Sequence, residues 1–280
     1  MRSKIKYKRA VKKMSLQQDF SDAITALREK RPLVHCITNY VTAGDTANML
    51  LAAGASPIMA DDPAEAAEIT AQADALLLNM GTLSERHISA MLKSGITANQ
   101  KGIPVVLDPV GIQLSEFRRT AVRRIFSEVK ISAVRGNVSE LTFLGGYSVI
   151  GAHGVDCGAS DEGTALAAAS DAALRYNCVC CVTGASDFIT DGDKATRLLN
   201  GCTALKRVTG AGCMTTALIA AFSAVCDPFS AAVFGTAFMG ICGELSEYTP
   251  PCRYMGCFRT GLFDKAGMSA EEISAHIRGE

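Results

Sequence analysis

Residues 74–80 read DALLLNM and residues 103–108 read IPVVLD; neither run alternates polar with apolar, so a strand built from either is apolar on both faces. Such strands need cover on both sides. Working outward, runs of the same kind occur at 33–37 (LVHCI), 55–59 (ASPIM), 131–136 (ISAVRG) and 177–184 (NCVCCVTG), with helix-length patterns between them. Short strands separated by helices imply βαβ crossovers. The expected fold class is therefore α/β, a mostly parallel central sheet with helices on both faces. Before the first strand, Leu16, Phe20, Ile24 and Leu27 fall at helical spacing and predict an amphipathic helix over 15–30. Residues 185–200 depart from the pattern, because FIT and ATRLL flank an Asp191-Gly192 turn and read as a hairpin. From Ala211 to Val225 and from Phe229 to Tyr248 the chain is rich in Ala, Leu, Ile, Phe and Met, which predicts two largely buried helices.

The 280 residues carry 28 Lys+Arg and 28 Asp+Glu, but seven of the basic residues lie in 1–13 (MRSKIKYKRAVKK) with no acid among them. Residues 14–280 thus hold 21 basic against 28 acidic side chains, a formal charge of −7. Residues 1–13 are read as a basic, disordered extension, and 14–280 as one domain, since no linker or repeat divides them. That extension lacks the apolar centre of a secretory signal. With 48% hydrophobic and 20% charged residues the chain is neither disordered nor basic enough to suggest a nucleic-acid partner. No run of about 18 apolar residues stands out, so a membrane partner is not expected. Eleven cysteines, an odd number without a secretory signal, favour reduced thiols in a cytoplasmic protein. Cys178 and Cys181 form a C-x-x-C inside an apolar strand and read as core; the scattered His35, His87, His153 and His276 give them no zinc partners.

Ligands of open α/β sheets bind beyond the carboxyl ends of the strands. The residues there are Thr38-Asn39, Met59, Met80-Gly81-Thr82, Asp108 to Gly111, Arg135-Gly136-Asn137 and Thr183-Gly184, any of which could be a simple turn but which together point to a site. Val208-Thr209-Gly210-Ala211-Gly212-Cys213 runs directly into a helix. Its glycines let backbone N–H groups approach an anion at the positive end of the helix dipole. It is neither a Walker loop nor a dinucleotide fingerprint, because no Gly-Lys-Ser/Thr follows and position 215 is Thr. Cys213 in the first helical turn is a candidate catalytic thiol whose thiolate the dipole favours, with plain packing as its alternative. Asp108 and Glu140 could organise Mg²⁺, and Arg135 with the glycine-loop amides could neutralise a moving phosphoryl group. Asp108 could equally be a local cap and Glu140 a first-turn helix residue.

PLVHCITN (32–39), LAAGASPIMA (51–60), LLLNMGTL (76–83), LDPVG (107–111), RGNVSE (135–140), GVD (154–156), VTG (182–184) and VTGAGC (208–213) occur in the order and spacing of one family. Over roughly residues 30–225 the chain resembles the hydroxyethylthiazole kinases of the ribokinase-like superfamily; the C-terminal residues resemble it loosely and residues 1–13 not at all. The resemblance implies ATP- and Mg²⁺-dependent phosphorylation of the alcohol of 4-methyl-5-(2-hydroxyethyl)thiazole, in thiamine salvage, by a homotrimer with sites between subunits. It implies substrate contacts from Met59, Gly210 and Asn39, ATP contacts from Arg135 and Thr183, and Mg²⁺ organised through water by Asp108 and Glu140. Cys213 stands where related sugar kinases carry an aspartate base, so the resemblance implies a thiol that orients the hydroxyl or takes its proton late. Gly44 and Asp45 depart from the family pattern. The alternatives are another ribokinase-like kinase, acting on hydroxymethylpyrimidine, pyridoxal or a sugar, and a silent ligand-binding homologue.

Overall fold

Each predicted apolar run forms a strand: β1 (Leu33–Ile37), β2 (Ser56–Ile58), β3 (Ala75–Asn79), β4 (Val105–Asp108), β5 (Ala133–Asn137) and β6 (Val179–Thr183). The hairpin is present as β7 (Asp187–Thr190) and β8 (Ala195–Leu198), turning through Gly192 at φ +97°. The structure is a computed structural model that describes residues 5–147, 162–247 and 254–280, without the side chains of 5–15 and 162. The Gly-Val-Asp motif at 154–156 lies outside the described residues, and the basic segment 1–13 outside the described side chains.

The eight strands form one sheet in the order β2-β1-β3-β4-β5-β6-β7-β8, parallel through β6 and antiparallel at β7 and β8. The chain leaves β1 toward β2 on one side and returns to β3 on the other. Strand order therefore reverses at β1, and the crevice between the ends of β1 and β3 is the expected place for a ligand.

Helices α1 (Ile5–Lys30), α2 (Ala43–Ala53), α8 (Ala211–Ser223), α9 (Pro228–Glu247), α10 (Met255–Ala266) and α11 (Ala270–Ser274) cover one face; α3 (Ala66–Gln72), α4 (Glu85–Lys101), α5 (Glu116–Glu128), α6 (Val138–Leu144) and α7 (Glu162–Tyr176) cover the other. Strand side chains divide with period two. Leu77 and Val106 join the first core, and Leu76, Leu78, Val105 and Leu107 the second. Fully burying each such side chain contributes about 1.5–3 kcal/mol, which explains why these runs contain no polar residue before their last position.

By length and composition α9 could cross a membrane, contrary to the expectation from sequence, but 78% of its apolar window is buried inside the protein. It is a core helix, with Phe234 stacked on Phe20 at 5.2 Å and Phe238 against Phe222 at 5.9 Å. Eight described cysteines are free thiols, among them Cys178, Cys180 and Cys181 in the strand region as predicted. Cys257 is disulfide-bonded, so the expectation of reduced thiols throughout is corrected there.

Candidate active site

The polar residue that closes each inner strand is what the site is made from. Asn39 follows β1, Asn79 ends β3, Asp108 ends β4, and the N-terminus of α8 brings Cys213 over all three. Asn39 Nδ2 donates to Asn79 Oδ1 at 3.0 Å across the switch point and to Cys213 Sγ at 3.3 Å. Asn79 Nδ2 donates to Asp108 Oδ2 at 3.1 Å and to Cys213 Sγ at 3.2 Å, while its Oδ1 also accepts the Gly81 N–H. Asn39 Oδ1 accepts from the backbone N–H and hydroxyl of Thr42. Every donor and acceptor of both amides is thereby used, which fixes their orientation without ambiguity.

Asp108 is fully buried. Its Oδ2 accepts from Thr216 Oγ1 at 2.7 Å and faces Arg135 Nη1 at 3.7 Å, whereas its Oδ1 has no hydrogen-bond partner. Burial pushes this carboxyl up, against the opposing pull of Arg135, Thr216 and Asn79. Burial also pushes the Cys213 thiol up, and the charge of Asp108 adds to it. The thiolate expected from the helix dipole alone is therefore not what the fold favours: Cys213 is held as a thiol that accepts two amide N–H bonds.

Gly210 caps α8 in the left-handed region at φ +89°, where a side chain would also strike Thr42 Cγ2 at 2.6 Å. Gly212 allows the helix to approach the guanidinium of Arg135, since a Cβ there would lie 2.3 Å from its Nη1. Arg135 Nη2 donates to the Thr183 hydroxyl, which joins the ends of β5 and β6 to the α8 N-terminus. The Ala211 N–H turns back to the Val208 carbonyl at 3.2 Å, and the remaining first-turn N–H groups of α8, which lack intrahelical partners, lie at the positive end of the helix beside this guanidinium, an arrangement suited to an anion.

Glu140 is buried in a capping box with Asn137: its Oε2 accepts the Asn137 N–H at 2.8 Å, and its Oε1 accepts the Gly111 N–H at 2.8 Å. It ties the start of α6 to the turn after Asp108. Burial foremost, then the charge of Asp108, raises its pKa from 4.5 to about 7. Because the folded value lies above the unfolded one, this group's contribution to stability is complete below pH 4.5 and is lost as pH rises to about 7. Melting temperatures of the ligand-free protein across that window should therefore fall more steeply in wild type than in Glu140→Gln. The glutamine offers one acceptor to two N–H donors, so the variant also loses about 1–2 kcal/mol at the acidic end.

Of the residues singled out in the sequence, Asn39, Asp108, Arg135, Thr183, Gly210 and Cys213 converge at one end of the sheet, and Glu140 borders them through Gly111. Met59 does not join their hydrogen-bonded network; it follows edge strand β2 with its side chain 38% exposed. Asn79, Thr42, Thr216 and Arg118 were not foreseen. Asn79 occupies in β3 the place that Asp108 occupies in β4, and Thr216 lies one helical turn beyond Gly212, both signals available in the sequence. Arg118 gave no signal: from α5 it donates to the carbonyls of Met80, Gly81 and Val110 and so clamps the turns after β3 and β4. The unusual Asp45 pairs with Arg259 of α10 through two hydrogen bonds, and Gly44 has open space beside it.

Among the described residues no cluster of three or more His, Cys, Asp or Glu could hold a metal by itself. Two carboxylates and an unpartnered buried Oδ1 of Asp108 instead fit a hard cation that brings phosphate and water ligands with it.

Solved structures share this fold, and sequence identity separates kinship from likeness. The pyridoxal kinase of Staphylococcus aureus in complex with ADP superposes with a TM-score of 0.56 at 16% identity over 75% of this chain and 86% of its own, a likeness of fold alone. The hydroxyethylthiazole kinase protein of Pyrococcus horikoshii OT3 superposes with a TM-score of 0.83 at 35% identity, over 94% of this chain and 98% of that one. The hydroxyethylthiazole kinase of Ruminiclostridium cellulolyticum is 46% identical over 253 residues, 89% of this chain and 92% of its own. That of Clostridium beijerinckii is 50% identical over 228 residues, 80% and 82% of the two chains. With residues 24–271 also matching the model of the hydroxyethylthiazole kinase family, this chain belongs to that family.

Proposed function

We propose that the protein transfers the γ-phosphoryl group of ATP to the primary alcohol of 4-methyl-5-(2-hydroxyethyl)thiazole. The observation that carries this reading is the convergence of Asp108, Arg135, Cys213 and the glycine-capped α8 N-terminus on one crevice, in a chain of this family. Phosphoryl transfer needs positioned charge more than covalent help. The α8 amides and Arg135 supply positive charge where the transferred group accumulates negative charge, and Thr183 holds Arg135 in place. Asp108 would hold Mg²⁺ through its free Oδ1, with Glu140 assisting through water; the ion would supply neutralisation of the phosphates. Gly210 and Met59 serve the thiazole.

Cys213 orients the alcohol. Its sulfur is fixed by Asn39 and Asn79, and burial keeps its proton on at neutral pH, so it positions the hydroxyl by hydrogen bonding while the hydroxyl proton leaves with the transferred phosphoryl group or to solvent. Asn39 accordingly acts on the substrate through Cys213, its own amide being fully engaged. Tyr40 and Val41, 79% and 61% exposed beside Met59 at the ends of β1 and β2, support a homotrimer whose subunits cover this face. The eight free thiols support a cytoplasmic setting.

The test is ADP release from Mg-ATP with hydroxyethylthiazole, hydroxymethylpyrimidine, pyridoxal and ribose, run on wild type and Cys213→Ala. Only the thiazole alcohol should turn over, and the variant should keep activity reduced by about tenfold. An inert thiazole alcohol beside a productive competitor sinks the substrate assignment; an unchanged Cys213→Ala rate sinks the role of the thiol.

A further inference from the structure

The loop that leaves β2 carries Met59 and is held almost residue by residue by basic side chains. His35 Nε2 lies 2.7 Å from the Ala60 carbonyl, His87 Nε2 lies 2.8 Å from Asp61 Oδ2, Arg86 pairs with Asp62, and Lys93 Nζ donates to the Pro63 carbonyl at 2.8 Å. Such restraint has a physical reason. Strand β2 is three residues long, contains Pro57 and pairs on one side only, with β1, so its own ladder fixes the loop poorly.

His87 differs from the other three because it also holds a second loop. Its Nδ1 lies 3.0 Å from the Thr82 carbonyl, and Thr82 Oγ1 accepts the Tyr40 backbone N–H at 3.4 Å. One imidazole from the first turn of α4, whose N-cap Ser84 accepts the His87 N–H, thus spans the loops after β2 and β3, and through Thr82 reaches the loop after β1. The ring contacts three oxygens: Asp61 Oδ2 at Nε2, and the Thr82 carbonyl and, at 3.3 Å, the Ser84 hydroxyl at Nδ1. Its side chain is 17% exposed, against 53% for Asp61, so the bridge is sheltered from solvent on the histidine side.

We propose that His87 is a positioning residue of the alcohol subsite, setting the three strand-end loops that carry Tyr40, Met59 and Thr82. The proposal rests on the reading that these loops line the alcohol side of the site. Its signature is a loss of binding for one substrate alone. With whichever alcohol of the panel wild type turns over, His87→Ala and Asp61→Ala should raise the KM for that alcohol about tenfold. In the same variants kcat and the KM for ATP should stay within about twofold. Asp61→Asn keeps an acceptor for Nε2 and should recover most of the loss. Calorimetric titration of the alcohol without ATP should show the same weakening. Should His87→Ala unfold, the Asp61 pair carries the test at the protein's surface. An unchanged alcohol KM, a fall in kcat or in ATP use, or an Asp61→Asn as impaired as Asp61→Ala overturns the proposal. Met59→Ala separates it from the underlying assignment: an unaltered KM there removes Met59 from the subsite, whereas the His87 bridge stands or falls on its own kinetics.

Discussion

Asp108→Asn is expected to lower kcat about a thousandfold while costing the protein less stability than the loss of Arg135 does, since the variant relieves the burial of one charge as it strands the other. The two halves of this expectation come from the same burial. Asp108 has no exposed surface, and burial pushes its pKa up, which means the fold bears a cost for its charge. An asparagine removes that charge and retains one oxygen to accept from Thr216 and Asn79, so the hydrogen bonds that position the residue survive. What disappears is the negative charge and the unpartnered Oδ1 suited to a cation, together with the counter-charge of Arg135. A costly group kept at a site is the usual mark of activity retained against stability. Thermal melting and ADP-release kinetics on the purified variant check both halves; a kcat within about tenfold of wild type removes Asp108 from the phosphoryl site.

The sheet was legible because its strands are apolar on both faces. LVHCI at 33–37 coincides with β1, and the runs at 74–80 and 103–108 form β3 and β4 with a residue or two trimmed at their ends, although the Asp74 N–H and the Pro104 carbonyl still bond to the neighbouring strands. The polar residue closing each run was equally visible, which is why Asp108 and Arg135 could be singled out. Their division of labour was not. Whether an amide touches substrate or props a neighbour depends on distances that sequence spacing does not encode, and Asn39 and Asn79, forty residues apart, share one sulfur. Asp45 finds Arg259 214 positions away, and Arg118 clamps carbonyls up to 38 positions away; no local pattern announces either contact. The thiolate expected of Cys213 failed for a similar reason, since the dipole is a local property of the helix and Asp108, which opposes it, arrives from another strand.

Arg135→Ala should be the most destabilising single change at the site, by about 3 kcal/mol, because it leaves the buried charge of Asp108 without its cation. The guanidinium occupies a narrow place, 3.7 Å from Asp108 Oδ2, bonded to Thr183 and against Gly212, where even a Cβ on the glycine would lie 2.3 Å from Nη1. Water entering the vacated volume can solvate Asp108 only in part. The loss should therefore shrink in the Asp108→Asn background, where no charge remains to be stranded, giving a coupling of at least about 1 kcal/mol in the double-mutant cycle. Arg135→Lys should fall between, restoring the charge but not the fork that reaches Asp108 and Thr183 together. Activity should respond differently from stability: both Arg135 substitutions should lose at least about tenfold in kcat/KM for ATP, since a lone ammonium or a void does not reproduce planar contact with a phosphate. Chemical denaturation of the four proteins of the cycle decides the first point. Additive losses would mean that Asp108 and Arg135 share a crevice without sharing a charge balance, and the phosphoryl group would then have to be neutralised by the α8 amides alone.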